Sequence, residues 1–345
     1  MSDPEEEGME GEVEEFAITT SALDSEGEEE EKEEEEGQGE EAAETEVEEK
    51  VENLPLTSEM ISENLSLLCR TGHGLTHAFI KLDLKEKGLT DLNLLCTFVH
   101  LRFLDVSANN LRDLSPLVSL SHLLWLKADG NLLAGFKGQP LDQMEYLQWL
   151  NLASNRITET EGLGGPSLES LNLTGNGIQV ISGLDYGRLT NLVTLELRGN
   201  RLETTDGIYL PHLRRLYLAQ NLIKRLEGLD RLGKLTTLHL RDNRIESLQG
   251  FGEGMTSLQY LNVRGNLVVA QQELHSLAPV AATLRALVLS ENPLAESEDY
   301  RLRILARLPL LERLDKEAVT SEERSEVAER QQEFGDEDVT EQDDY

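Results

Sequence analysis

Few side chains in this sequence have types and spacings suited to catalysis or metal binding. His73 and His77 have the four-residue spacing that puts two metal ligands on one helix face, but they lie beside glycines with no third ligand nearby. Cys69 and Cys96 are the two cysteines, and we expect both to be packed thiols. The sequence has no phosphate-binding loop, dinucleotide fingerprint, nucleophile elbow or Cys-x-x-Cys pair. It therefore predicts no enzyme, no cofactor, no metal and no catalytic residue.

The side chains best suited to recognition are aromatic residues and arginines at fixed positions of a repeat. Both tryptophans fall with Phe103 at positions expected to be exposed on one face of a sheet. Trp, Tyr and Arg are enriched where protein interfaces concentrate their binding energy. Alternatives to partner binding stay open for both groups. The aromatic residues could brace one another or be covered by a tail of the chain, and the arginines could hold the acidic tail. The predicted protein-binding residues are Phe103, Trp125, Lys127, Trp149, Asn151, Arg198, Arg215, Tyr217, Arg241, Tyr260 and Arg264.

A leucine-rich repeat positions these side chains. The segment from Leu101 to Leu111 fits the pattern L-x-x-L-x-L-x-x-N-x-L, with Val106 at one apolar position. A degenerate first copy has Lys87 in the asparagine slot, and 205 residues separate Lys87 from Asn292 over nine steps, about 23 residues per repeat. Such a period predicts an α/β solenoid, a leucine-rich repeat horseshoe of about ten coils with a parallel concave sheet, helical caps and disordered acidic tails.

Each part of the repeat has an expected structural task. The L-x-L core alternates apolar and polar residues, which predicts a short strand with its leucines pointing inward. Leucines spaced by three in the second halves, as in Leu114, Leu117 and Leu120, favour turns or 3₁₀ segments on the convex face. An asparagine amide, with its donors and acceptor, can satisfy the backbone groups left by the turn after the strand. The predicted ladder comprises Asn109, Asn131, Asn155, Asn176, Asn200, Asn221, Asn243, Asn266 and Asn292.

The segments that flank the repeats are predicted to cap the two ends of the array. Residues 53–78 are predicted to be an N-terminal helical cap, with a helix over 56–71 that starts after Thr57 or Ser58 and packs Cys69. Repeats are expected over 79–294. Residues 295–315 are predicted to be the C-terminal cap, with a helix from Ser297 to Leu308 that Pro309 stops. The Thr320-x-x-Glu323 capping box then predicts a further helix to about Phe334 within an acidic segment, 316–345, and Gly335 to Tyr345 are expected to be disordered.

Charge is concentrated at the two ends of the 345-residue chain. Residues 1–52 hold 25 Asp and Glu against two Lys, a net charge of −23, and residues 315–345 carry −10. The total is −35, so the remainder, 53–314, carries −2. A segment as acidic as 1–52 is expected to stay disordered. The composition predicts a reducing, cytoplasmic or nuclear compartment, no membrane partner and no nucleic-acid partner.

The repeat pattern also resembles known families. The consensus resembles the intracellular phosphatase-regulatory class of leucine-rich repeats, and Tyr300-Arg301 with Leu308-Pro309-x-Leu311-x-x-Leu314-Asp315 resembles the cap of that class. Over nearly its full length, with its Glu-rich head, the segment Leu54–Leu68 and ten coils, the chain resembles a leucine-rich repeat family of the ciliary and flagellar radial spoke. That resemblance implies a structural subunit of spoke three in the axoneme of motile cilia or sperm tails.

Taken together, the sequence predicts a non-enzymatic scaffold that binds proteins on its concave face and takes no small-molecule substrate. The resemblance implies that its partners are radial-spoke subunits, that it is located in the cytoplasm and cytoskeleton of the cilium or flagellum, and that it supports motility. Two alternatives stay open. One is a phosphatase regulator, because of the repeat class. The other is an acidic nuclear histone-binding protein, because such proteins also combine leucine-rich repeats with Glu runs.

Overall fold

The structure is a computed structural model that describes residues 53–72, 74, 76–183 and 186–340, with the backbone alone over 331–340. The acidic segment 1–52 and the last residues, 341–345, lie outside the described residues, as does the predicted disorder of these two segments. Among the residues described, no helix is both long enough and apolar enough to cross a membrane.

In the described part of the chain, thirteen strands form one sheet in which every strand lies beside its neighbours in the chain. Strands β2 to β12 are parallel, whereas β1 and β13 pair antiparallel at the two ends. Most inner strands are three residues long. The strands are β1 Leu65–Arg70, β2 His77–Asp83, β3 Phe103–Asp105, β4 Trp125–Lys127, β5 Trp149–Asn151, β6 Ser170–Asn172, β7 Thr194–Glu196, β8 Arg215–Tyr217, β9 Thr237–His239, β10 Tyr260–Asn262, β11 Ala286–Val288, β12 Arg313–Leu314 and β13 Glu317–Ala318.

The core lies on one side of this sheet. The middle residue of each three-residue strand, such as Leu104, Leu126 or Leu150, is at most 3% exposed, while its neighbours face the other side. Strict alternation gives each strand one apolar face, and stacking the coils joins these faces into a continuous leucine core. The predicted fold is confirmed: ten strands, β2 to β11, correspond to the ten repeats, and β12 closes the array.

The asparagine ladder is confirmed by its hydrogen bonds. In one rung, Asn131 Nδ2 donates to Val106 O at 3.0 Å and to Ala128 O at 3.1 Å, and Asn131 Oδ1 accepts from Leu111 N at 3.0 Å. Each amide thus connects its own coil with the preceding one. All nine asparagines of the ladder are buried and make the same set of bonds, namely Asn109, Asn131, Asn155, Asn176, Asn200, Asn221, Asn243, Asn266 and Asn292.

The turn that precedes each ladder position has a left-handed backbone. Gly130 and Gly175 occupy it at φ 63° and 67°, as glycine does without steric cost. Ala108 and Ser154 adopt the same conformation at φ 54° and 51°, so the turn is imposed even on residues with a Cβ. The asparagine that follows accepts the backbone donor of the previous coil, which stabilises this sharp turn.

The convex side consists of turns and 3₁₀ segments, as the spacing of three predicted. The segments Ser115–Ser119 and Leu229–Arg231 coincide with two of the predicted Leu-x-x-Leu runs. Leu117 and Leu229 are buried there, because three residues per turn bring every third side chain to the core. The other 3₁₀ segments are Asn93–Thr97, Pro140–Gln143, Gln271–Val280 and Pro293–Glu296.

At the N-terminal cap, the predicted helix over 56–71 is wrong in its second half. Helix α1 spans Ser58–Asn64, begins after Thr57, whose hydroxyl accepts from Met60 N, and ends where the Asn64 side chain donates to Met60 O at 2.7 Å. Strand β1 follows at once and pairs antiparallel with β2. The physical reason is that β2 would otherwise present an open hydrogen-bonding edge, and this long-range pairing overrides local helix propensity.

The cap cysteine is also not packed as predicted. Cys69 lies on β1 opposite Ala78 and is exposed, because β1 contacts the array only through β2. Cys96 lies in the first 3₁₀ segment and is exposed as well, since only Leu95 of that turn points inward. Both thiols therefore face solvent, and the expectation of packed cysteines is wrong.

At the C-terminal cap, a carboxylate accepts hydrogen bonds from the backbone at the end of strand β11. Helix α2 spans Tyr300–Arg307, within the predicted range, and stands beside the closing strand β12. Asp315 Oδ1 accepts from Leu289 N at 2.7 Å and from Ser290 N at 2.8 Å, and for Leu289 N it takes the place of the strand carbonyl that accepts the equivalent N–H in earlier coils, as Asn262 O does for Leu240 N. The half-buried Tyr300 side chain donates from its hydroxyl to Asp315 Oδ2 at 2.8 Å, and burial first, then Asp315, raises the pKa of Tyr300.

Helix α3 spans Ser321–Thr340, so the predicted end at about Phe334, with disorder from Gly335, is wrong. The predicted capping box is confirmed, because Glu323 accepts from Thr320 N at 2.8 Å and Thr320 Oγ1 accepts from Glu323 N at 3.2 Å. Once such a cap has nucleated a helix, each added residue costs less than the first turn. The first turns of α3 pack on the cap, where Arg324 donates to Pro309 O and Leu311 O at 2.6 and 2.7 Å.

Candidate protein-binding surface

Strand register places the predicted aromatic residues side by side on the concave face, the side of the sheet opposite the leucine core. Phe103 lies opposite Trp125, and Trp125 lies opposite Trp149. The two indoles stack with their ring centroids 4.7 Å apart and their planes 7° apart. All three side chains are half-buried. We call Phe103, Trp125 and Trp149 the aromatic stripe. The stack shows that the tryptophans do brace one another, as one alternative held.

A second aromatic group occupies the other half of the concave face. The His239 ring stacks between Tyr217 and Tyr260, with centroid distances of 4.8 and 4.9 Å. Both tyrosines were predicted from the sequence, but His239 was not selected. The signal was present, since His239 follows Tyr217 by one coil at the same repeat position. Burial raises the pKa of the half-buried Tyr217 phenol, so it remains a neutral hydrogen-bonding group.

The four predicted arginines do not form an open cationic row. Arg198 Nε donates to Gln220 Oε1, and Arg215 Nε donates to Thr194 Oγ1, both at 3.0 Å. Arg241 pairs with its neighbour Asp242 at 3.0 Å. Arg264 bonds Glu291, and this hydrogen bond lowers the pKa of the Glu291 carboxyl. Each arginine is therefore oriented by an adjacent coil or by the turn that follows its own strand.

Lys127 and Asn151 join neighbouring coils next to the aromatic stripe. Lys127 Nζ lies 3.7 Å from Asp105 Oδ2 and 3.8 Å from Asp129 Oδ1. Asn151 Nδ2 donates to Asp129 Oδ1 at 3.2 Å, while its Oδ1 accepts from Ala153 N at 3.0 Å. The bond from the N–H two residues later to the side-chain oxygen recurs where Asp or Asn ends a strand. This position therefore has a structural role in addition to any contact with a partner protein. Asp83, Asp105, Asn172 and Asn262 make it too.

One acidic side chain on this face is held in an unfavourable setting. Glu196 lies between Asn172 and Tyr217 in the register of the sheet. Burial raises the pKa of its carboxyl, although the positive charge of Arg215 partly opposes the effect. Its carboxylate makes no hydrogen bond and no salt bridge with the residues that the structure describes. The repeat pattern predicts that position 196 faces away from the core, but it does not indicate that the Glu196 carboxyl is shielded from solvent.

The metal-ligand spacing noted in the sequence does not assemble a site. His77 is the first residue of strand β2 rather than part of a helix, and His73 lies outside the described residues. Over 53–72, 74, 76–183 and 186–340, no three His, Cys, Asp or Glu side chains are grouped so as to hold a metal ion.

The parallel strand ladder, the buried asparagines and the leucine core define a leucine-rich repeat protein. A family model described as "Leucine-rich repeat" matches residues 194–340, and one described as "Leucine Rich repeat" matches residues 166–180. The chain is 51% identical over 273 residues to human leucine-rich repeat-containing protein 23, which covers 79% of this chain and 78% of that protein. The Xenopus tropicalis protein of the same name is 50% identical over 277 residues, 80% of this chain and 78% of its own. The chain belongs to the leucine-rich repeat-containing protein 23 family.

More distant similarities concern the fold and part of the array. An internalin from Listeria monocytogenes, InlF, has a TM-score of 0.53 and 25% identity, covering 66% of this chain and 64% of its own. The acidic leucine-rich nuclear phosphoprotein 32 family member A of Drosophila pseudoobscura pseudoobscura is 35% identical over 91 residues, 26% of this chain and 34% of that protein. The leucine-rich repeat fold is typical of protein-interaction scaffolds, and this chain has that fold.

Proposed function

We propose that this protein is a non-enzymatic scaffold of the axonemal radial spoke, spoke three, which binds other spoke subunits through its concave face and supports the motility of cilia and sperm flagella. The observation that carries the binding part is the aromatic stripe. Both tryptophans of the chain stand next to each other on a sheet face that needs none of them for its core. Partly exposed aromatic side chains grouped in this way are typical of interaction surfaces.

The axonemal part of the proposal rests on membership of the leucine-rich repeat-containing protein 23 family and on the family resemblance described above. It places the protein in the cytoplasm and cytoskeleton, at the axoneme of the cilium or flagellum. In this setting the solenoid holds spoke subunits at a fixed distance. A stack of rigid coils suits that task, because each coil is hydrogen-bonded to the next through strand and asparagine.

A nuclear role is the second candidate, and the similarity to acidic leucine-rich nuclear phosphoprotein 32 family member A favours it. That similarity covers 91 residues, whereas the similarity to leucine-rich repeat-containing protein 23 covers 273. A phosphatase regulator is a further outcome to be distinguished. It predicts that a phosphatase catalytic subunit is recovered in stoichiometric amount with the tagged protein.

The deciding experiment is to localise the tagged full-length chain in multiciliated cells. The proposal expects signal along the axoneme that remains after detergent removes the membrane. Trp125→Ala combined with Trp149→Ala is the matched variant, and we expect it to lose this retention while it stays folded by circular dichroism. Full retention of the variant would exclude the stripe as the contact. Nuclear accumulation of the wild-type protein would instead support the second candidate.

A further inference from the structure

We infer that the segment bound by the aromatic stripe is a proline-rich chain in the polyproline II conformation, supplied by the partner protein. The inference rests on the proposed function, because it names the chemistry of the partner at the same site. Three observations carry it: the hydrogen-bonding groups that the stripe leaves open, the orientation of the two indoles, and the spacing of the coils.

The stripe offers hydrogen-bond donors. Within the described part of the chain, the indole N–H groups of Trp125 and Trp149 make no hydrogen bond. The Lys127 ammonium, on the same strand as Trp125, lies 3.7 and 3.8 Å from its two carboxylates, beyond the distance of a direct hydrogen bond. Of the two carboxylates beside it, Asp105 accepts from Ser107 through Oδ1 and faces Lys127 with Oδ2, and Asp129 accepts from Asn151 through Oδ1.

The orientation of the indoles determines which part of each ring a ligand can meet. Because the two rings are parallel and stacked, their faces cover each other and their edges point out of the sheet. A ring edge carries the positive part of the aromatic quadrupole, and it includes the indole N–H. A ligand on the stripe therefore meets a surface that is apolar and rich in donors, and it must bring acceptors.

A proline-rich segment has this complement. Proline has a carbonyl and no N–H, and a polyproline II helix makes no internal hydrogen bonds, so every carbonyl is available. Leaving a donor unpaired on burial lowers affinity. Aromatic-lined grooves are also the general mode by which proline-rich segments are bound.

The spacing of the coils matches the ligand. A polyproline II turn has three residues and rises about 9.3 Å, and two strand steps span about 9.6 Å. Phe103 and Trp149 are separated by two such steps, with Trp125 between them. Every third ligand residue then meets an equivalent place on the stripe. A β-strand repeats after about 6.7 Å, which matches neither one step nor two.

The test is a titration of the full-length protein with an N-acetylated, C-amidated decaproline peptide, followed by tryptophan fluorescence. The chain has only two tryptophans, and both lie in the stripe, so the emission reports on this site alone. We expect a saturable shift in emission with decaproline and none with a Gly-Ser peptide of equal length. The conservative variants Trp125→Phe and Trp149→Phe keep an aromatic ring and remove one donor. Each should weaken binding by about fivefold to tenfold, measured by calorimetry.

The control is Tyr146→Phe, which removes a donor from an exposed ring that stacks on His122 off the stripe, and it should leave decaproline binding unchanged. No emission shift, an equal response to the Gly-Ser peptide, or equal affinity of the two tryptophan variants and wild type would overturn the inference. If decaproline fails while Trp125→Ala with Trp149→Ala still loses axonemal retention, the scaffold proposal stands and the proline-rich partner is wrong. If that double variant is fully retained, the stripe is not the contact and both fail.

Discussion

Trp125 and Trp149 occupy the same position in consecutive coils, and their indoles stack 4.7 Å apart across two parallel strands. Bracing and binding are therefore compatible roles for one pair. The stack orders the two rings before any partner arrives, which lowers the entropy lost on association. The cost of removing the pair should then appear partly in stability and mostly in binding.

Replacing both tryptophans by alanine tests this division. Trp125→Ala with Trp149→Ala should abolish capture of the partner and lower the melting temperature by only a few degrees, since an aromatic pair contributes about 0.5–1.5 kcal/mol beyond its buried area. Thermal melts and a pull-down from axonemal extract measure the two effects. A matched control is Tyr146→Ala, which removes a ring from a stack outside the stripe and should leave capture intact. A melting temperature lowered by more than about 10 °C would show that bracing is the main role.

Truncating one asparagine of the ladder should lower the free energy of unfolding substantially. Asn221→Ala removes donation to Leu197 O and Leu218 O and leaves the backbone N–H of Leu202 without its acceptor. Because these groups are buried, we expect a loss of about 1–3 kcal/mol in the free energy of unfolding, measured with urea. Asn191→Ala is the control. This exposed side chain donates to Pro166 O at 2.8 Å, and its loss should cost less than about 0.5 kcal/mol.

The cap carboxylate predicts a difference between two similar variants. Asp315→Ala removes the acceptor of Leu289 N and Ser290 N and leaves the Tyr300 hydroxyl unpaired, so about 2–3 kcal/mol of stability should be lost. Asp315→Asn keeps an acceptor oxygen and should retain most of the stability. Thermal melts distinguish them. Equal melting temperatures for wild type and Asp315→Ala would contradict the role assigned to this cap.

Acid should loosen the start of helix α3. The hydrogen bond from Arg301 lowers the pKa of the Glu323 carboxyl, helped by the backbone N–H of Thr320. A group with a lowered pKa in the folded state adds stability above its unfolded pKa, about 4.3, and loses it as the pH falls through the folded value. The protection of the α3 amides from hydrogen exchange, measured relative to the intrinsic exchange rate at each pH, should therefore fall below about pH 4.3. In Glu323→Gln this acid-dependent part should vanish, and an unchanged pH profile in that variant would refute the assignment.

Removing residues 1–52 should change association more than folding. The deletion takes away a net charge of −23, while the described core begins at Leu56. We expect melts of the truncated and full-length proteins to agree within a few degrees. Extraction from axonemes should become less dependent on salt, because charge contacts are screened over about 8 Å at physiological ionic strength. Identical salt profiles for the two proteins would remove any role of this segment in association.

Sequence alone established the repeat, the ten coils, the asparagine ladder and the inward leucines. Each depends on a periodic local pattern, so the direction of a side chain such as Leu126 or Asn131 follows from its place in the repeat. The same pattern placed Trp125 and Trp149 side by side, because register in a solenoid equals repeat position.

The tertiary structure decided what the variable positions do and how the ends close. The repeat spacing predicts that Arg264 faces outward, but its salt bridge with Glu291 of the next coil follows only from the folded structure. Local propensity extended a helix through Cys69, yet pairing with β2 made that segment a strand. His239, Glu196 and Asp315 acquired their roles in the same way. In each case the conformation or pairing of the residue is determined by contacts between coils or with a cap. The residue pattern within one repeat carries no information about those contacts.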